Sequence, residues 1–184
     1  MTLDVALVLA PGAGGAPDHP TLVAIAEAMA PVPVDRVRLP GNAPAAVKAV
    51  MTAADALCRR TGVAPDRLVL GGRSFGGRMC SMAVADGLPA LGLALVSYPL
   101  HPPGRPTQLR TEHFPELTVR CLFVSGRGDP FARVDELESA TAAIPAPVTH
   151  VWVTGGHALR GQDAVVASVV KKWVAELVGP GPRG

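Results

Sequence analysis

Six short apolar runs, separated by stretches with helical character, constrain this chain more than any other feature. The runs lie near Val5–Ala10, Val34–Leu39, Arg67–Leu70, Leu93–Ser97, Val119–Ser125 and Val148–Val153. Most are continuously apolar rather than alternating, the pattern of strands covered on both faces. Val34–Leu39 is interrupted by Asp35, Arg36 and Arg38 and is expected at a sheet edge. Helix-compatible stretches fall between the runs, at Pro20–Ala30, Ala43–Thr61, Phe75–Asp86, Phe131–Ala143 and Gln162–Val178. Asn42 is placed to cap the second, with Pro44 in its first turn, and Gly62 to end it. Gly87, followed by Pro89, ends the third in the same way. In the last, Val165, Val166, Val169, Val170, Trp173, Val174 and Leu177 form one apolar stripe, so Trp173 is expected in the core. Strands alternating with helices call for an α/β fold with a mostly parallel six-stranded sheet and helices on both faces. The expected organisation is one domain over residues 1–178 and a flexible tail over 179–184. Tyr98–Pro115 holds five prolines and is expected as a loop over the sheet edge, too short to be a helical cap domain.

Composition excludes several classes. Hydrophobic residues make up 48% of the 184 and charged residues 17%, too apolar for a disordered chain. No apolar run approaches the roughly 20 residues that span a bilayer, and Val5–Ala10 lacks the basic flank of a signal peptide. The formal charge of +2 is spread thinly, so neither nucleic acid nor an anionic membrane is an expected partner. Aromatics are only 4%, too few for base-stacking platforms. Three cysteines, Cys58, Cys80 and Cys121, lack CxxC spacing, which argues against a disulfide framework and fits a cytoplasmic location. The five histidines are dispersed with no HExxH, so no metal and no cofactor is expected.

The sharpest local signal is Gly72-Arg73-Ser74-Phe75-Gly76, which follows an apolar run and opens a helical stretch. In G-x-S-x-G the serine occupies a tight strand-to-helix turn, and the glycines allow the close packing that such a turn needs. Gly71 and Gly77 widen that clearance. A serine hydroxyl needs a base, and the base needs an acid to orient it, in the chain order Ser, acid, His for this arrangement. Asp129 follows the fifth run and His157 follows the sixth. Ser74, Asp129 and His157 therefore all fall just past the carboxyl ends of expected strands, the edge where open parallel sheets place their sites. An oxyanion hole is expected from the N–H of Phe75 and of Ala13, with Gly14 as the alternative, in the loop Pro11-Gly12-Ala13-Gly14-Gly15. That loop matches neither GxGxxG nor a P-loop.

Rival residues rank lower. His150 lies on the wrong edge, and His113 sits in the Pro-rich loop. His19 is expected to help start a helix and Asp163 to cap one. Gly12, Gly14, Arg73, Tyr98 and His101 are possible pocket residues, though His101 is expected more as loop surface. Arg78, one turn after Ser74, is expected to be exposed or packed at least as much as it is to reach the site. Arg127-Gly128-Asp129 spells an adhesion tripeptide, which is taken as chance.

Four blocks carry a resemblance: Leu9–Gly15, Gly71–Arg78, Ser97–Gly104 and Gly128–Phe131. Together they resemble the α/β-hydrolase superfamily, and within it the small testis-expressed-30-like branch, often labelled dienelactone-hydrolase-like. The resemblance implies a minimal α/β-hydrolase fold without a cap domain and a triad of Ser74, Asp129 and His157. Relatives often carry an acidic residue where this chain has Gly156, and dienelactone hydrolases proper use cysteine where it has Ser74. The expected function is a serine hydrolase acting on a small carboxylic ester or thioester. A scaffold on a hydrolase fold, or a peptidase or acyltransferase with the same triad, are the alternatives. The oligomeric state is not expressed in the sequence.

Overall fold

The computed structural model describes residues 4–179. Six strands run β1 Ala6–Ala10, β2 Val34–Arg36, β3 Leu68–Arg73, β4 Gly92–Val96, β5 Arg120–Gly126 and β6 Val148–Val153. They form one sheet in the order β2-β1-β3-β4-β5-β6, and every pairing is parallel, where the sequence promised only a mostly parallel sheet. The described residues hold five α-helices, four between strands and the last after β6: α1 Pro20–Met29, α2 Ala43–Thr61, α3 Phe75–Ala85, α4 Val134–Thr141 and α5 Asp163–Val178. The chain leaves β1 outward to β2 and then returns to β3 on the other side of β1. Loops after β1 and β3 thus part at a topological switch point, which opens a crevice at the carboxyl edge.

Two apolar layers hold the sheet. On one face, Leu7, Leu9, Val69, Val96 and Val124 meet Leu22 and Ile25 of α1 and Val166, Val170 and Trp173 of α5. On the other, Val8, Leu70, Leu95 and Phe123 meet Val50 and Leu57 of α2, Met79 of α3 and Leu137 of α4. Successive strand residues point to opposite faces, so both faces can be apolar only if the run is continuous. Burying each large side chain contributes about 1.5–3 kcal/mol. Asn42 Oδ1 accepts from Ala45 N at 3.0 Å, and Gly62 closes α2 at φ 74°.

Some boundaries differ from the sequence reading for identifiable reasons. β2 is only three residues long and does lie at the edge. β3 runs on through Gly71 and Gly72, beyond the expected strand end at Leu70. A Cβ at Gly71 would stand 2.4 Å from the Ala94 carbonyl oxygen, and one at Gly72 2.2 Å from that of Ala10. The glycines are therefore strand residues that let neighbouring strands close. α4 starts three residues later than expected, because Asp129 Oδ1 takes the Phe131 N–H at 2.9 Å and holds that stretch in a turn. Of the expected tail, 180–184 lie outside the described residues.

The Pro-rich segment is not draped over the sheet edge; it is anchored in the core at both ends. Tyr98 and Phe114 are fully buried and pack with Phe123 at ring separations of 5.4, 5.8 and 6.2 Å. The Tyr98 hydroxyl donates to the Arg110 carbonyl at 2.7 Å. His113 Nε2 lies 2.8 Å from Ser81 Oγ, which donates its own proton to the Arg78 carbonyl, also at 2.8 Å. His113 is therefore a structural donor from the segment to α3. Burial, and secondarily the Arg78 guanidinium, push its pKa down to about 4.

In the unfolded chain His113 titrates near ~6.5. Between that value and about 4 the unfolded state binds the extra proton. Stability therefore falls as pH drops through this window and levels off below it. A thermal midpoint measured from pH 7.5 to 4 is expected to show this acid limb, and His113→Gln is expected to make it shallower.

Candidate active site

Ser74 sits between the last residue of β3 and the first of α3, at φ 51° and ψ −118°. A non-glycine residue held there costs of order 1–3 kcal/mol, so its surroundings must over-determine it. They do. The Ser74 N–H donates to the Val96 carbonyl at 2.8 Å, and its carbonyl accepts from Arg78 N at 3.1 Å. A Cβ on Gly76 would fall 2.3 Å from the Ala10 oxygen and 2.4 Å from that of Pro11. One on Gly77 would fall 2.8 Å from the Gly72 oxygen. The flanking glycines thus serve two approaches: Gly72 and Gly76 against β1, and Gly77 between strand and helix.

The other two expected residues converge on it. His157 Nε2 lies 2.8 Å from Ser74 Oγ, and His157 Nδ1 lies 2.8 Å from Asp129 Oδ2. A carboxylate only accepts, so Nδ1 carries the proton and Nε2 accepts from the serine hydroxyl. Asp129 is buried, and its second oxygen takes the Phe131 N–H. The Phe131 ring meets the imidazole edge-on at 4.7 Å and narrows the choice of ring orientation. His157 itself remains partly open, its side chain 19% exposed. Serine, histidine and carboxylate thus form one continuous hydrogen-bonded line from solvent into the protein.

Glycines bring the acid and histidine loops together. Arg127 N donates to the Val153 carbonyl at 3.0 Å and Gly128 N to the Gly155 carbonyl at 2.9 Å. A Cβ on Gly126 would stand 2.3 Å from the Gly155 oxygen. Leu159, at φ 48°, is fully buried in the α1/α5 layer and pins the histidine loop from its far side. Sequence reasoning missed Gly126, Leu159 and the Phe131 ring. Phe131 stood in the fourth resemblance block, but nothing in the sequence links the two loops.

The loop after β1 makes a tight turn in which Gly15 N donates to the Gly12 carbonyl at 2.9 Å, with Gly14 at φ 65°. Ala13 and Gly14 are exposed at its tip. The Phe75 N–H opens α3, where no intrahelical acceptor exists for it. Gly12 lies beside both Ser74 and Arg73: a Cβ there would be 3.7 Å from Ser74 Cβ and 3.2 Å from Arg73 Nη1. Arg73 Nη2 donates to the His157 carbonyl at 3.1 Å. Burial draws the Arg73 pKa below its ordinary value, opposed by the carboxylates of Asp129 and Asp163.

Two expected pocket residues are placed differently. Tyr98 is core, as described above. His101 is not loop surface: it is buried, its ring lies 6.4 Å from that of Phe131, and its Nδ1 donates to the Pro102 carbonyl at 3.0 Å. Among the rivals, His150 stacks on Trp152 and lies 2.9 Å from Thr141 Oγ1. His19 caps α1, accepting from Thr21 N at 3.3 Å. Asp163 is not a cap; its Oδ1 accepts from Thr21 Oγ1 at 2.5 Å. Arg78 is half-buried, its Nε enclosed without a partner. Among the described residues, no group of three His, Cys, Asp or Glu is placed to hold a metal ion, and no helix is long and apolar enough to cross a membrane.

A family model described as an alpha/beta hydrolase domain matches residues 3–173. Among solved structures, the chain is similar to a carboxylesterase from Bacillus cereus. The identity is 18% over 96% of this chain and 90% of that one, with a TM-score of 0.68. Est1E from Butyrivibrio proteoclasticus is 14% identical over 96% and 89%, with a TM-score of 0.75. A thermophilic esterase from Thermogutta terrifontis is 17% identical over 94% and 90%, with a TM-score of 0.71. At these identities the likenesses speak to the fold.

The loop packing yields a paired expectation. Gly126→Ala drives a methyl into two carbonyls of the histidine loop and is expected to cost about 1–3 kcal/mol and to slow reaction of Ser74 with an electrophile. Gly41→Ala, with open space at its Cβ, is expected to stay within about 0.5 kcal/mol. Chemical denaturation of both variants checks the contrast.

Proposed function

The chain belongs to the alpha/beta hydrolase family, and on that footing we propose that it is a serine hydrolase of small carboxylic esters or thioesters. The observation that carries the reading is the unbroken line Ser74–His157–Asp129, with both links at 2.8 Å. The four sequence blocks support a place in the testis-expressed-30-like branch. The three free cysteines support a reducing, cytoplasmic compartment. The shared sheet and its two helical layers support one domain.

Ser74 Oγ attacks the acyl carbon while His157 Nε2 accepts its proton. Asp129, already bonded to Nδ1, stabilises the imidazolium that forms. The negative charge on the former carbonyl oxygen is met by the N–H groups of Phe75 and Ala13, with Gly14 as the alternative donor. His157 then gives the proton to the departing alkoxide or thiolate, leaving an acyl-enzyme on Ser74. Water, deprotonated by His157, attacks the acyl carbon and releases the acid. Exposure of Ala13 and Gly14 argues for a shallow crevice and hence a small or protruding acyl group.

The scaffold alternative calls for a displaced base or a covered turn at Ala13. Neither supports it here, since His157 reaches Ser74 and the turn is open. Transfer to an amine or a second alcohol uses the same acyl-enzyme, so a peptidase or acyltransferase differs only in the second nucleophile.

Labelling by a fluorophosphonate, read by intact mass, tests the proposal. The wild-type chain is expected to gain one phosphonyl group and Ser74→Ala none. Asp129→Asn is expected to slow labelling by a factor of order 10⁴, through the wrong imidazole tautomer. A folded wild-type chain that resists labelling would remove the hydrolase reading and favour the scaffold.

A further inference from the structure

Arg73 has more hydrogen-bonding capacity than the protein uses. Its guanidinium is half-buried, and its Nε is enclosed with no hydrogen-bond partner. Only Nη2 is bonded among the described residues, to the His157 carbonyl at 3.1 Å. None of the ion pairs among the described residues includes it. The carboxylates of Asp129 and Asp163 act on it only from beyond ion-pair distance, so most of its hydrogen-bonding capacity is unmatched by a direct partner.

The surroundings are shaped to admit one. A cavity of about 340 Å³, lined by Arg73, His19, Arg160 and Asp163, opens beside the histidine loop. This is within the range of small-ligand sites, about 300–1,000 Å³. Thr21 N donates to His19 Nδ1, so a neutral His19 carries its proton on Nε2 and offers a donor there. The one carboxylate in the lining, Asp163, accepts from the Thr21 hydroxyl and sits in the first turn of α5, where the helix N-terminus offsets its charge. Ser74 does not line this cavity, but Arg73 does, and Gly12 leaves open the space between its guanidinium and the nucleophile. A side chain at residue 12 would fill the gap between Arg73 Nη1 and Ser74 Cβ, and that residue is glycine.

We propose that Arg73, with His19 and Arg160, forms a subsite for a carboxylate carried by the substrate, so that the preferred esters are half-esters of short dicarboxylic acids or similar acid-bearing acyl compounds. This deepens the hydrolase reading and rests on it for the word substrate. The planar guanidinium offers Nη1 to one carboxylate oxygen, and the substrate chain passes Gly12 to place its ester at Ser74. Bracing of His157 through Nη2 continues unchanged, so Arg73 serves both the anion and the position of the base.

The test separates these roles. Glutarate, its neutral diamide and inorganic phosphate are titrated calorimetrically into wild type, Arg73→Gln and Arg160→Gln. Glutarate is expected to bind wild type, about tenfold more weakly to Arg73→Gln, and more weakly to Arg160→Gln by a smaller factor. The diamide is expected not to bind. Rates on p-nitrophenyl hemiglutarate and p-nitrophenyl butyrate are then compared. Wild type is expected to favour the hemiester, and Arg73→Gln to lose that preference by about tenfold, mainly through KM. An equal loss on both esters, with glutarate binding unaltered, would reduce Arg73 to a brace for His157 and overturn the subsite. Failure of glutarate to bind wild type, or equal binding of phosphate, would overturn it too. Glutarate binding in a chain that labels with no fluorophosphonate would retain the anion site while removing the hydrolase reading.

Discussion

The backbone of Ser74 is held where a serine does not rest freely, at φ 51° and ψ −118°, and the packing of β1, β3 and α3 exists in a form that keeps it there. Gly72 and Gly76 let β3 and α3 press against the end of β1 so closely that a methyl group would meet carbonyl oxygens at 2.2 and 2.3 Å. The Ser74 N–H is tied to β4 and its carbonyl to the first turn of α3. The turn places Ser74 directly before the first residue of α3, whose N–H has no intrahelical acceptor.

Parallel topology does the rest of the placement. Every strand delivers its carboxyl end to one edge, so the loops after β1, β3, β5 and β6 gather there without a dedicated scaffold. Two of those loops must meet within hydrogen-bonding distance; Gly126 leaves the space for that approach, and Gly155 supplies the φ of 119°. Burial of Asp129 keeps its interaction with His157 in a medium of low dielectric, where it is stronger than at the surface. Leu159 and Phe131 fix the imidazole from two sides, one by anchoring its loop in the core and the other by edge contact with the ring.

Much of this was legible in the residues. Continuous apolar runs showed the strands, because a strand covered on both faces cannot alternate. The interrupted run at Val34–Leu39 showed the edge. Asn42 and Gly62 marked the ends of α2 through their local backbone chemistry. Ser74, Asp129 and His157 can be placed at one sheet edge from the sequence because their strand-end positions follow from the topology, and the structure brings them within hydrogen-bonding distance. What escaped depends on contacts between segments far apart in the chain. Gly71 and Gly72 lie beyond the expected strand run because their purpose lies in Ala94 and Ala10. Tyr98 and His101 read as pocket or loop because prolines mark irregular backbone, and irregular backbone can still be core. Asp163 read as a cap because the sequence does not show that Thr21 stands opposite it.

The central claim is that this geometry makes Ser74 an acyl-accepting nucleophile. Its most direct measurement is rapid mixing with a slowly deacylating p-nitrophenyl ester, followed by acid quench and peptide mass mapping. The account predicts a burst of one p-nitrophenolate per chain and an acyl group on the peptide that contains Ser74. Steady release without a burst, and with no acylated peptide at any quench time, would contradict it.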